Sequence, residues 1–224
     1  MLFRSVSAER LNFIPNYSAK KINQHDKGKA REKLGWDQSE FIVIHTGNIG
    51  AKQGLENVVD ASKLLKSESN AKVLFVGHGN RERELREISS GLSNIEVLPA
   101  VSDEDYPSLL SAADLLLVNE RPTQLNMSLP SKLTSYLFSG RPVLAAVPQG
   151  GATWKYLDGI AELVEAGKPK SLAIAIQKLM KDPQRRDELS RLGSAFAEAN
   201  LDAAAGRARY LKWVNRLIHK ENAN

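Results

Sequence analysis

Residues 41–65 read "FIVIHTGNIGAKQGLENVVDASKLL". An apolar run, Phe41 to His45, enters a loop with glycines at 47, 50 and 54 and a lysine at 52. Leu55, Val58, Val59, Ala61, Leu64 and Leu65 then recur at the spacing of one helical face. Each glycine gives up more backbone freedom on folding than another residue would. Three so close together mark a place where the backbone must stay bare, and bare amides beside an ammonium group suit an anion. The alternative reading of the same residues is a plain strand-to-helix turn with a solvated lysine.

The pattern repeats along the chain. Strands are expected at Phe41–Thr46, Lys72–Gly77, Ile95–Leu98, Asp114–Asn119 and Pro142–Val147, with a weaker one at Glu162–Val164. Runs such as "KVLFVG", "DLLLV" and "PVLAAV" are continuously apolar, which marks strands covered on both faces, as in a parallel sheet. Between them lie helical stretches at Leu55–Lys66, Arg81–Ser90, Asp103–Ala112, Ser131–Ser139 and Pro169–Lys181, followed by Gln184–Ala199 and Asp202–Lys220. This alternation predicts an α/β fold, a doubly wound parallel sheet with a helical C-terminal extension. Residues 1–20 read as a linker or the tail of a preceding domain, 21–200 as the main domain, and 201–224 as an amphipathic C-terminal helix.

Composition narrows the chemistry. The 224 residues carry no cysteine, four scattered histidines and a formal net charge of +5. Disulfides and thiolate metal sites are excluded, and a zinc site is disfavoured. No apolar run approaches the ~18 to 20 residues of a membrane span. The positive excess suits a phosphate-bearing small molecule or an anionic surface. Nucleic acid fits worst, because the basic residues are dispersed and aromatic residues make up only 6%.

A second stretch points to the same chemistry. In "NERPTQLNMSLPSKLTSYLFSGRPVLAAV", Asn119-Glu120 ends a strand, and Ser131 reads as the N-cap of a helix that begins with Lys132. A cation is mildly disfavoured in a first helical turn, so a bound anion would account for Lys132. A capped helix with an exposed lysine is the plainer alternative. The loop "VGHGN" at 76–80 reads as a simple turn with His78 facing solvent. "DED" at 103–105 reads as acidic charge at a helix start rather than a metal pair. Trp36 and Trp154 are expected to pack. The last helix sets Tyr210, Trp213, Val214, Leu217 and Ile218 between flanking arginines and lysines, a face expected to pack on a sheet or a neighbouring domain, or else to lie on a membrane.

Together "TGNIGAKQGL", "LFVGHG", "NIEVLPAVSDEDYPSLLSAADLLLVNE", "LPSKLTSYLFSGRPVLAAV" and "LVEAGKPKSLAIAIQKLMKDPQRRDELSRLG" resemble, in order, the C-terminal half of GT-B glycosyltransferases of the family 4 type. The likeness runs from about residue 10 to the end and is nearest to bacterial transferases of surface-polysaccharide assembly. It implies a Rossmann-like domain that binds a nucleotide-diphosphate sugar, faced by a separate acceptor-binding domain. It implies transfer, with retention, to a glycan or lipid-linked acceptor, in the cytoplasm or at the inner face of a membrane, without a metal or other cofactor. Carried onto this chain, Gly47, Asn48 and Lys52 would hold the donor diphosphate from one loop, and Ser131 and Lys132 from the other. Leu98-Pro99-Ala100 would meet the base. Two departures stand out. Asn48 occupies a place where the family often has arginine. Met127 and Ser135 occupy the places of two glutamates, the second of which would grip the ribose. Glu120 is a nearby carboxylate that would compensate. The competing expectations are a non-catalytic nucleotide-sugar-binding module and a nucleotide-sugar epimerase of the same architecture.

Overall fold

The computed structural model of the chain describes residues 12–17, 24–65, 70–125 and 128–221. Six parallel strands, β1 (Phe41–Thr46), β2 (Ala71–Val76), β3 (Ile95–Leu98), β4 (Leu115–Asn119), β5 (Val143–Val147) and β6 (Glu162–Glu165), form one sheet in the order β3-β2-β1-β4-β5-β6. The helices are α1 (Lys27–Leu34), α2 (Glu56–Leu64), α3 (Glu82–Ser89), α4 (Tyr106–Ser111), α5 (Lys132–Phe138), α6 (Ala152–Leu157), α7 (Pro169–Lys181), α8 (Pro183–Asn200) and α9 (Ala203–Glu221). This is the doubly wound sheet that the apolar runs predict.

Strand residues alternate between two cores. Phe41, Val43, Val73, Phe75, Leu115 and Leu117 pack with α2, α3 and α7, while Ile42, Ile44, Leu74, Leu116, Val118 and Ala145 pack with α4, α5 and α6. Both faces are therefore dry, which is why the strands carry no polar alternation. Strand order reverses between β1 and β4, so their connections leave toward opposite layers, and a crevice opens beyond their carboxyl ends.

Several boundaries differ from the expected ones. A short 3-10 turn, Ala51–Gln53, precedes α2, which starts at Glu56 and not at Leu55; Lys66 lies outside the described residues. The helix expected from Asp103 starts only at Tyr106, because Ser102 and Asp105 close a side-chain-bonded turn first. Asp105 also pairs with Lys33 at 2.7 Å. Ser131 sits at the start of α5 in helical backbone and makes no side-chain cap. The apolar face of α9 does not cover the sheet: Tyr210, Leu217 and Ile218 are about half exposed, with Tyr210 edge-on to Trp213. Of residues 1–20 only 12–17 are described; Phe13 stacks edge-on with Tyr156, and a side chain at Gly206 would collide with Tyr17. Trp36 and Trp154 pack against the α4–α5 core as expected.

Sequence periodicity gives no sign of α1. Its buried residues are Ala30 and Arg31, and it is held by Asp26 capping Lys29 N–H at 2.9 Å and by Gly35 at φ 68°. The buried Arg31 guanidinium donates to the carbonyls of Ala112, Gln38 and Glu40 and to Asp114, which also accepts from Lys27 and from the amide of Ile42. This network ties the amino edge of β1 to that of β4.

At the opposite edge two glycine loops lie against each other. Gly47 N–H donates to Val76 O at 2.8 Å, Ile49 N–H to His78 O at 2.9 Å, and Arg81 N–H to Ile49 O at 3.0 Å, extending the parallel pairing past the strands. A side chain at Gly77 (φ 153°) would collide with the carbonyl of Gly47, and one at Gly79 with that of Ile49. The "VGHGN" loop is thus a required partner of the first glycine loop, with His78 exposed as expected. Gly77→Ala is expected to lower unfolding free energy by about 2–3 kcal/mol through overpacking and backbone strain, read as a lower urea midpoint at unchanged m-value.

Candidate functional site

Two lobes of one groove occupy the crevice at the carboxyl edge. The first, ≈ 360 Å³, is lined by Lys52, Gln53, Asn119, Glu120, Gln124, Ser131 and Lys132, with Asn16 at its rim. The second, ≈ 490 Å³, is lined by Thr46, Gly47, Asn48, Val101, Asp103, Tyr106, Ser131, Lys132 and Ser135. Gln53, Pro130, Ser131 and Lys132 belong to both, so they form the junction. Each lobe falls within the size range of small-molecule sites, roughly 300–1,000 Å³.

The polypeptide fixes these walls from below. Asn119, buried at the end of β4, donates to the carbonyls of Gln53 and Gly54 at 2.7 and 2.9 Å and accepts from Asn57 at 2.8 Å. Arg121 N–H donates to Lys52 O at 3.2 Å, and its guanidinium pairs with Glu56 at 2.6 Å. These bonds hold the Lys52 turn against β4 and bring Lys52 into the lobe that contains Glu120. On the other side Tyr136 of α5 accepts the amide of Thr46 at 2.8 Å, and Thr46 Oγ1 lies 3.1 Å from Tyr136 and 3.0 Å from Tyr106. That bond anchors α5 to the end of β1, one turn below Lys132.

Lys132 reaches over the sheet edge to His45. Its Nζ lies 3.0 Å from His45 Nε2, and His45 Nδ1 lies 3.1 Å from Leu117 O. Among the described residues no carboxylate stands within ion-pairing distance of Lys132. Burial pulls its ammonium down to about 7, against a smaller opposing pull from Glu120. His45 is held well below the ordinary histidine range, chiefly by burial and then by the Lys132 charge. Glu120 is pushed up by burial, with its hydrogen bond from Thr153 (2.9 Å) and the Lys132 charge opposing.

The structure brings most of the expected residues together. Lys52, Lys132, Gly47, Asn48, Glu120, Ser131 and Ser135 all line the groove. Leu98 and Pro99 are not among its lining residues; Leu98 O accepts Gly77 N–H, and Val101 and Asp103 take the wall position instead. The start of α2 carries Glu56 in its first turn and contributes no lining residue; the Lys52 turn lines the groove instead. Met127 lies outside the described residues. Sequence reading missed His45, Tyr106, Gln53 and Gln124. His45 had one available signal, a lone titratable residue inside an apolar strand. Gln53 stands at the junction with its side-chain Oε1 buried and unpartnered among the described residues.

Residues 26–195 match the family model of glycosyl transferases group 1. The chain belongs to that family. It is 31% identical over 210 residues to WcaI of Escherichia coli (strain K12), a glycosyl transferase named for colanic acid biosynthesis, covering 89% of this chain and 50% of WcaI. It is 25% identical over 193 residues to the lipopolysaccharide core biosynthesis glycosyltransferase LpsD of Rhizobium meliloti, covering 85% of this chain and 54% of LpsD. The chain therefore spans about half the length of these curated relatives. The fold matches that of Anabaena HepE, crystallised in complex with UDP, at a TM-score of 0.73 and 19% identity, covering 87% of this chain and 56% of HepE. No helix among the described residues is long and apolar enough to cross a membrane.

The Lys132 position has a measurable cost. Between pH 7 and the ordinary lysine value the unfolded chain holds this proton and the native chain does not, so the group's contribution to stability rises with pH across that window. Against Lys132→Met, the wild-type protein is expected to gain relative stability from pH 7 to 9.5, read from urea midpoints. Parallel stability curves would refute the burial of the ammonium.

Proposed function

We propose that this domain binds the nucleotide-diphosphate sugar of a retaining transferase that passes the sugar to a glycan or lipid-linked acceptor in cell-surface polysaccharide or lipopolysaccharide synthesis. One observation carries the reading: Lys52 and Lys132 line a single groove at the strand switch point, although eighty residues of sequence separate them. The diphosphate is assigned to the junction, beside both ammonium groups, the Ser131 hydroxyl and the bare backbone at Gly47. The nucleoside is assigned to the lobe of Val101, Asp103, Tyr106 and Ser135, and the sugar to the lobe of Glu120, Gln124 and Asn119.

As the glycosidic bond to the donor phosphate breaks, negative charge grows on the leaving diphosphate. Positive charges already fixed in a partly enclosed site stabilise that charge without reorganising. Lys52 and Lys132 supply it here, and no metal is assigned to the step. Ser135 offers the ribose a single hydroxyl in place of a carboxylate, so hydroxyl recognition is shared with Asp103 across the same lobe. The acceptor, and any group that activates it, is assigned to a separate acceptor-binding domain, as the family resemblance implies. Contact with a membrane surface is assigned to that part or to the basic, half-exposed face of α9.

Isothermal titration of the protein with UDP, GDP and UDP-glucose is the test. At least one is expected to bind in the micromolar to millimolar range, and EDTA is expected to leave that binding intact. Lys52→Ala and Lys132→Met should each weaken it about tenfold or more, the loss of one charge-assisted contact. Equal affinity in all three proteins would remove the donor assignment.

A further inference from the structure

We propose that His45 is a positioning residue for Lys132: its imidazole accepts one ammonium N–H at the floor of the groove and aims the other two at the ligand. The ligand in this statement is the diphosphate of the reading above; the contact itself is independent of that identity.

The Leu117 contact favours one tautomer. A carbonyl only accepts, so the Nδ1 that lies 3.1 Å from Leu117 O carries the proton. A neutral imidazole has one N–H, which leaves Nε2 a bare lone pair, and Lys132 Nζ donates to it at 3.0 Å. A protonated His45 would set donor against donor and cation against cation. Burial and then the Lys132 charge disfavour that form, holding the ring well below the ordinary histidine range against opposing backbone contacts from Leu117 and Asn48. The other neighbours are uncharged or lie around the ammonium. Phe75 meets the ring edge-on at 6.2 Å. Tyr106 and Tyr136 keep their protons, since burial pushes both upward. Glu120, Asp103 and Lys52 line the groove around the ammonium.

A neutral acceptor suits this place better than a carboxylate would. A carboxylate 3 Å away would orient the ammonium but cancel its charge and compete with any bound anion. An apolar residue would leave a largely enclosed ammonium without an acceptor, favouring loss of its proton. The imidazole holds direction and leaves the charge available.

The test separates the two ends of the ring. In His45→Asn the amide replaces the Nδ1 end, keeping a donor to Leu117 O and removing the acceptor for Lys132. In His45→Gln the amide reaches the Nε2 end and restores that acceptor. Trace acetylation with acetic anhydride from pH 5 to 10, read by peptide mass spectrometry, reports the titration of the Lys132 amine without any nucleotide. The wild-type midpoint is expected near 7, with His45→Gln close to it. In His45→Asn it should fall by about one unit, a tenfold change in proton affinity. If thermal melts show both variants folded and all midpoints coincide, or if His45→Gln shifts as far as His45→Asn, the positioning role is overturned. UDP-glucose titration of the same proteins forms the second arm. A shifted Lys132 titration with no nucleotide binding in any of them would retain the His45 contact and remove the donor assignment.

Discussion

Between β1 and β4 two neighbouring parallel strands send their chains to opposite layers, and everything at the carboxyl edge follows from that divergence. No connection can cover the space between them. The last residues of both strands, Thr46 and Gly47 on one side and Asn119 and Glu120 on the other, therefore end at an open crevice. The amino edge of the same strand pair is closed by the opposite means: Asp114 accepts from Arg31, Lys27 and Ile42 at once. One end of the sheet is sealed by a satisfied buried charge network, and the other is left with charges that have few internal partners.

The open end keeps its shape through a few buried polar side chains. Asn119 holds the Lys52 turn by two carbonyls, and Tyr136 holds α5 by the amide and hydroxyl of Thr46. Each such bond contributes only about 1 kcal/mol net, yet leaving one of these buried groups unpaired costs roughly 1–3 kcal/mol. Together they fix the Lys52 turn to the end of β4 and α5 to the end of β1. Gly77 adds a steric condition, since only a residue without a side chain lets the second loop lie against the carbonyl of Gly47.

What the sequence reveals of this design depends on periodicity. The strands are legible because a sheet covered on both faces demands unbroken apolar runs, and "KVLFVG" or "DLLLV" can hardly be anything else. That Lys52 and Lys132 line one lobe is legible because each follows a core strand in a parallel sheet. Helix α1 is illegible for the same reason inverted: its buried face is Ala30 and Arg31, and no hydropathy pattern announces an arginine satisfied by carbonyls. Ser131 reads as a cap by residue type, but its backbone already has helical angles, so its hydroxyl is not spent on an amide. His45 hides in its strand because one polar residue does not break an apolar run, and its function exists only through a helix that arrives eighty-seven residues later.

Lys132 gathers several unfavourable conditions in one side chain. It sits in the first turn of a helix, where the dipole opposes a cation. Its ammonium is desolvated, and no carboxylate among the described residues neutralises it. His45 satisfies one hydrogen and none of the charge. A chain selected for stability alone would place methionine or glutamine there. On the proposed function, a donor diphosphate would supply that compensation in the lobe that Lys52 and Lys132 share. Under that proposal bound anion and bound proton would reinforce each other: the ligand would draw the Lys132 proton on, and the proton would hold the ligand. On the same proposal, filling the site would convert the local cost of a desolvated ammonium into affinity for the donor.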